Sequence, residues 1–380
     1  MKREDFINVK RIVIKLGTNV LRNEEGEVAV SRIYSFIEDI SKLIKTGKEV
    51  IIVTSGAVGL GKKKLELEST IGDGVKQACA AVGQSRLMSY YEAGFANYNI
   101  PVAQILLTED DFSMRHRYLS LRTTLNKLLE FGVVPIINQN DTVSTIELDD
   151  ILAGMQVSFS DNDKLSALVS SELEADLLIL LSDIDGLYTA NPKEDKNAKF
   201  IQEVQCVNDE ILELGSGASD GGRGGMKTKL EAAKLVTRFG GKVLIANGKI
   251  PYVINKIFNA EELGTMFIPS EENLSGKKRW IGYATNVLGK LIVNEGAKKA
   301  ILEKCTSLLP IGIVEVINDF KQGEVVSICD ENGIEFARGM VNYSSDECRK
   351  IAGSHSDDIL KTLGYKNYDA VITRDNITDL

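Results

Sequence analysis

Residues 49–61 read EVIIVTSGAVGLG: four β-branched residues in a row, then Thr54-Ser55, then glycine at three of the next six positions. A short run that is apolar at every position is a strand covered on both faces, not one with a wet side. The glycines after it read as a turn. The same sentence recurs along the chain. Residues 10–16 (KRIVIKL) run into Gly17-Thr18-Asn19, and 102–108 (VAQILLT), 133–141 (VVPIINQND), 176–183 (DLLILLSD) and 242–247 (KVLIAN) are further apolar runs with polar ends. Helical spacing fills the gaps. Val30 to Lys45 places Ile33, Phe36, Ile37, Ile40, Leu43 and Ile44 on one face before Gly47, and Val75 to Asn97, Tyr118 to Phe131 and Leu165 to Glu172 follow. A further helix begins near Lys229 and carries Leu230, Ala233, Leu235 and Val236. Buried strands alternating with helices predict an α/β fold, a mainly parallel sheet between two helical layers.

The pattern changes after about Ile268. Residues 270–279 (SEENLSGKKR) are polar and turn-rich, and beyond them come short strands: KLIVN, IGIVEVI and EVVSICDENGIEFARGMVNY. Two short helices, Asn294 to Lys304 and Ser345 to Ala352, interrupt them. The division expected is a first domain over 1–268, a linker over 269–281 and a small β-rich domain over 282–380, which suits a chain of 380 residues. Residues 277–380 hold 14 Lys+Arg against 15 Asp+Glu, and the first 276 hold 31 against 39. A net charge of −9 argues against a protein whose main work is wrapping nucleic acid. No apolar run approaches the roughly 18 residues of a membrane span, and MKREDFINVKR lacks the apolar core of a signal peptide. Five scattered cysteines without CxxC and only two histidines make a zinc site improbable and fit a reducing cytoplasm.

In a parallel sheet, ligands sit beyond the carboxyl ends of the strands. The polar clusters fall there: Lys15 to Asn19, Thr54-Ser55-Gly56, Asn138 to Asp141, and Ser182-Asp183. Residues 56–62 (GAVGLGK) match GxxxxGK, but Lys63 stands where a P-loop needs a hydroxyl for magnesium. Ser55-Gly56-Ala57 at a helix start suits a substrate carboxylate instead. Lys15 lies between Ile14 and Leu16 in an apolar strand, which is costly unless it meets an anion or snorkels from an edge strand. Asp161-Asn162-Asp163 is more than a helix cap needs, and two carboxylates flanking an amide can orient lysines or hold Mg2+. Six of the eleven residues 215–225 are glycine, and Lys227 and Lys229 follow, a composition that fits either a phosphate-binding loop or a flexible surface loop.

VIKLGTNVL, IIVTSGAVGLG, AAVGQSRL, VPIINQNDTVST, SDNDKLSALV, LLLSDIDGLYTANP and GRGGMKTKLEAA stand in this order over nearly all of the first 268 residues. Together they resemble the glutamate-phosphorylating members of the amino acid kinase family. KKRWIGYA, KLIVNEGAKKAIL and SLLPIGIVEV resemble the PUA domain that trails many bacterial members. The resemblance implies the amino acid kinase fold, and ATP-dependent phosphorylation of the γ-carboxyl of L-glutamate, the first step of proline synthesis. It also implies Mg2+ on the phosphates, dimers or tetramers, and feedback inhibition by proline. By matching positions, Lys15 and Lys229 stabilise the moving phosphoryl and Asp163 orients them. Ser55, Asp141 and Asn162 bind glutamate, with Asn138 and Arg122 as further candidates. Lys15, Ser182, Asp183 and Arg223-Gly224-Gly225-Met226-Lys227-Thr228-Lys229 hold the nucleotide.

The chain also departs from that pattern. Gln139 replaces a usual glutamate, Ser182 a usual threonine, and Arg223 and Lys227 smaller polar residues. The stretch between Asp141 and Asn162 is several residues longer than in most stand-alone relatives, in the region the family links to proline inhibition. Two other readings compete: a family member acting on a different acid or phosphate, and an RNA-binding protein whose kinase-like part is regulatory. The near-neutral charge of residues 277–380 weighs against RNA as the main partner.

Overall fold

A computed structural model describes residues 3–68, 74–143, 162–192, 194–215, 225–269, 276–284 and 287–380. Arg223, Gly224 and Asp161, most of the glycine-rich 215–225 stretch and nearly all of the long 142–161 segment lie outside the described residues.

The described chain forms two compact units, the second comprising Phe112–Arg115 and the described residues from 276 onward. The first is built on a sheet of β1 (Arg11–Leu16), β2 (Glu49–Val53), β3 (Val102–Leu107), β4 (Val134–Gln139), β5 (Leu177–Ser182), β8 (Glu203–Val204), β9 (Lys242–Asn247) and β10 (Thr265–Phe267). A small hairpin, β6 (Leu187–Tyr188) with β7 (Phe200–Ile201), lies outside it. The sheet order is β3-β4-β2-β1-β5-β9-β10-β8. Every neighbouring pair from β3 to β9 is parallel, and only β9 and β10 run antiparallel. All the residues of β1 after Arg11, and of β5 before Ser182, are buried, which is why β5 reads as an unbroken apolar run and β1 as one interrupted only by Lys15. Each fully covered Ile or Leu there contributes about 1.5–3 kcal/mol relative to exposure.

The chain leaves β1 for β2 on one side and places β5 on the other. β1 therefore sits where the strand order reverses, the point at which doubly wound sheets open a crevice. The Val30–Lys45 helix buries Ile33, Phe36, Ile37, Ile40 and Leu43 as its spacing requires.

The glycine turn expected after β2 is instead a helix, Ala57–Lys64. Gly56 supplies the bend into it at φ 94°. Glycine is a poor helix former, and tertiary packing overrides that here. A Cβ on Gly61 would fall 1.8 Å from the carbonyl oxygen of Cys79, and one on Gly83 would fall 1.7 Å from that of Ala57. The helices Ala57–Lys64 and Val75–Ala96 thus touch backbone to backbone, a contact only glycine permits. The helix expected from Tyr118 begins earlier, at Arg115, and the one expected from Leu165 begins at Asn162.

The second unit carries a five-stranded sheet of β11 (Gly289–Val293), β12 (Ile313–Ile317), β13 (Val325–Cys329), β14 (Glu335–Met340) and β15 (Ile377–Asp379), in the order β12-β11-β13-β14-β15. β11 and β13 are parallel and the other neighbours antiparallel. Leu291, Val293, Val326, Ile328, Tyr343 and Ile351 are part of its core. The helix over Asn294 to Lys304 is present, with Asn294 as its N-cap accepting from the Ala297 amide at 2.9 Å.

Candidate active site

The parallel strands end at one edge of the sheet, and their last residues face each other in register. Lys15 lies opposite Val53 on β2 and Leu180 on β5, and Ser182 lies opposite Asn247 on β9. The helix Asn162–Glu172 packs against β1 and against the helix Met226–Arg238. Two charged residues that are far apart in sequence therefore meet over the end of β1.

Their meeting point is Asp163, completely buried at the start of its helix. The Lys15 ammonium lies 2.6 Å from its Oδ1 and the Lys229 ammonium 3.1 Å from its Oδ2. Both lysines are themselves 4% exposed. The Thr228 hydroxyl lies 3.0 Å from the same Oδ2. Burial pushes the Asp163 carboxyl upward, but the two ammonium groups outweigh it and hold the acid well below the usual carboxylate range. The carboxylate is thus a fixed anion carrying one ammonium on each oxygen. Gly17 lets the backbone pass close by: a Cβ there would lie 3.2 Å from the Leu181 carbonyl oxygen and 3.9 Å from Lys15 Nζ.

Beside this cluster is a network of amides and hydroxyls. Asn162 Nδ2 donates to the Thr54 carbonyl at 2.9 Å, to Ser55 Oγ at 2.8 Å and to Asn138 Oδ1 at 3.2 Å. Asn138 Oδ1 also accepts from the Gln139 amide at 2.9 Å, and its Nδ2 donates to Gln84 Oε1 at 2.9 Å. Gln84, within the Val75–Ala96 helix, was not singled out by the sequence. Its motif AAVGQSRL was visible, but nothing local distinguishes a polar residue on a helix that is buried on one face only.

A third group lies at the ends of β5 and β9. Asn19 Nδ2 donates to Asp183 Oδ2 at 3.0 Å, the Ser182 hydroxyl lies 3.3 Å from Asp183 Oδ1, and Asn247 Nδ2 donates to Asp185 Oδ1 at 2.8 Å. Burial raises the Asp183 acid, yet the backbone and Asn19 hydrogen bonds with nearby Lys249 bring it net below the carboxylate norm. Asn19 belongs to the Lys15–Asn19 cluster noted in the sequence, whereas Asp185 and Asn247 are additions to the sequence reading.

Of the residues named from sequence, Lys15, Asp163, Thr228 and Lys229 stand together, and Ser55, Asn138 and Asn162 form the adjoining network. Gly225 and Met226 open the Met226–Arg238 helix, with Lys227 exposed on its first turn. Asp141 follows β4, half-buried. Arg122 is otherwise engaged: its guanidinium pairs with Glu174 at 3.2 Å, next to the buried Tyr118–Glu172 hydrogen bond. Among the described residues, no group of three or more His, Cys, Asp or Glu is arranged to hold a metal ion. The buried lysines present fit the phosphates of a nucleotide that carries Mg2+.

Residues 10–247 match the family model described as the amino acid kinase family, and 289–363 match the PUA domain. A protein named glutamate 5-kinase from Thermoanaerobacter sp. (strain X514) is 46% identical over 374 residues, covering 97% of this chain and 98% of its own. A glutamate 5-kinase of Caldanaerobacter subterraneus subsp. tengcongensis is 45% identical, covering 97% and 98%. One from Trichlorobacter lovleyi is 44% identical over 379 residues, covering 99% and 98%.

Proposed function

The chain belongs to the amino acid kinase family, and we propose that within it the chain carries glutamate 5-kinase activity, transferring the γ-phosphoryl group of ATP to the γ-carboxylate of L-glutamate. One observation carries the reading: Asn162 and Asp163 are consecutive. A single peptide unit joins the amide network at Ser55 and Asn138 to the buried pair of lysines. An amino acid held by the first presents its side chain to a phosphoryl group held by the second.

The chemistry needs little more than placement. A carboxylate with a reference pKa of about 4.3 is already ionised at neutral pH, so no general base is required. Phosphoryl transfer is then governed by alignment and by cations around the transferring oxygens. Lys15 and Lys229 are those cations, and Asp163 fixes both ammonium groups. Ser55, Asn162, Asn138 and Asp141 hold glutamate, with Asp141 a partner for its ammonium. Ser182, Asp183 and the start of the Met226–Arg238 helix hold the nucleotide together with 223–225. Arg122 has no part in this arrangement while it pairs with Glu174. Bound with ATP, Mg2+ supplies charge neutralisation at the phosphate oxygens.

The domain limits 1–268, 269–281 and 282–380 are part of the proposal. The family matches ending at 247 and starting at 289 support them. Five free cysteines support a reducing, cytoplasmic setting. No described helix is long and apolar enough to cross a membrane. Proline feedback and assembly into dimers or tetramers rest on the family resemblance.

An ATP-dependent γ-glutamyl hydroxamate assay with L-glutamate, acetylglutamate and carbamate in parallel tests the reading. Turnover with glutamate alone is expected. Folded protein that leaves glutamate untouched in the presence of Mg2+ would sink it.

A further inference from the structure

We propose that Gln84 is a positioning residue for the amino-acid substrate, acting through the side-chain amide of Asn138. The inference rests on the glutamate reading above and deepens it. Gln84 is 93% buried in the Val75–Ala96 helix, and its partner Asn138 lies 54 residues away at the end of β4.

The argument is one of hydrogen-bond polarity. The two ends of an asparagine amide are nearly the same size and differ only in whether they donate or accept. Asn138 Oδ1 receives two donors, the Gln139 amide and Asn162 Nδ2. Asn138 Nδ2 faces an acceptor, Gln84 Oε1. Turned over, Asn138 would set its NH2 against both donors and its oxygen against the Gln84 oxygen. The Gln139 backbone amide, which cannot turn, fixes Asn138; Gln84 completes that arrangement by receiving Asn138 Nδ2, and Asn138 in turn helps to orient Asn162. Asn162 then spends its Nδ2 hydrogens inside the network, on Thr54 O, Ser55 Oγ and Asn138 Oδ1. Its Oδ1, an acceptor, is buried with no hydrogen-bond partner among the described residues, as is Gln84 Nε2. A buried acceptor left over is costly unless a donor meets it. A substrate ammonium is such a donor. Ser55, already accepting from Asn162, keeps its own hydroxyl hydrogen for a carboxylate. The polarity of the whole network is thus set for a zwitterion, and Gln84 anchors the end remote from it.

Gln84→Met keeps the length and the burial but removes the acceptor. It is expected to raise KM for glutamate about tenfold, leaving KM for ATP within about twofold and kcat little changed. Gln84→Glu restores an acceptor facing Asn138 Nδ2 and is expected to recover most of the loss. Glutamate-induced stabilisation against heat, followed without ATP, reads binding independently of turnover: the wild-type shift should shrink in Gln84→Met and return in Gln84→Glu. Equal rises in both KM values, unchanged glutamate affinity in a folded Gln84→Met, or no recovery in Gln84→Glu would overturn the role. Wild-type protein that is stabilised by glutamate but does not phosphorylate it overturns the kinase reading alone, and the heat shifts of the variants then decide the role of Gln84. Wild-type protein that shows neither turnover nor shift overturns both.

Discussion

Lys15, Asp163 and Lys229 hold one another in place, and each breaks a local rule of its own element. A lysine interrupts an apolar strand, two acids bracket an amide where a cap needs one residue, and a lysine follows a glycine-rich loop onto the buried face of a helix. Each anomaly is resolved by the other two. Gln84 breaks no rule and so gave no signal, since its meaning comes entirely from a partner on another element. Lys15→Ala and Lys229→Ala are expected to lower kcat by about 10²–10³, the loss typical of removing one preorganised charge donor. KM for glutamate should stay within about threefold, and steady-state kinetics with both substrates varied would check this. Unchanged kcat in either variant would remove its assigned role. Asp163→Asn deprives two buried ammonium groups of their counter-charge and is expected to lower stability by about 3–5 kcal/mol, read by denaturant unfolding. The sign of the pH effect follows from the depressed acid. Its contribution to stability is complete above the ordinary carboxylate range and is lost only as pH falls through the lower folded value. From about pH 5 to about pH 8 the Asp163 contribution should therefore be flat, in wild-type stability and in log kcat alike.

At the scale of elements, the central strands could be read with little ambiguity, because both-face burial leaves an unbroken apolar run. The helix Ala57–Lys64 could not. Gly56 before it and Gly59 and Gly61 within it argue locally for a turn, and only the close approach of the Val75–Ala96 helix turns that composition into an advantage. That approach also sets Gln84 and the Ser55-Gly56 bend in place. Gly83→Ala would force its new methyl into the Ala57 carbonyl, and overpacking of this kind costs about 1–3 kcal/mol. The expected result is a lower Tm together with a raised KM for glutamate. A Tm equal to wild type would show that the two helices separate without cost. Asp39 couples another pair of helices, Val30–Lys45 and Val253–Phe258, by accepting from the Asn255 amide at 3.1 Å, while its Oδ1 has no hydrogen bond among the described residues. Burial raises this acid above its ordinary value, against the Asn255 hydrogen bond and Lys42. A raised acid disfavours folding once it ionises, so the penalty is complete above the folded pKa and vanishes below the unfolded one. Asp39→Asn is therefore expected to raise Tm at neutral pH and to lose that advantage on acidification. An advantage that grew as pH fell would reverse the assignment.

Across the whole molecule, the charge works against the ligands at long range. The chain carries −9, of which −8 lies in the first 276 residues, and both glutamate and ATP are anions. The cations proposed to meet the phosphates include Lys15 and Lys229, almost wholly withdrawn from solvent. Exposed charges are screened over roughly 10 Å at 0.1 M salt, whereas buried pairs are screened far less. Added salt should therefore weaken the long-range repulsion and leave the short-range attraction of the lysines largely intact. Raising ionic strength from about 0.02 to 0.15 M at saturating Mg2+ is expected to raise kcat/KM for glutamate modestly, by less than about threefold. A cationic funnel on the surface would give the opposite slope, a steep fall with salt. The same logic applies to residues 277–380, whose 14 basic and 15 acidic side chains offer no net attraction to a phosphate backbone. Their affinity for RNA at physiological salt should be no tighter than the nonspecific range, about 10⁻⁴–10⁻⁶ M. A salt-titrated anisotropy measurement on the full chain decides it, and a tight isotherm with a steep salt slope would reveal a basic face that net charge conceals.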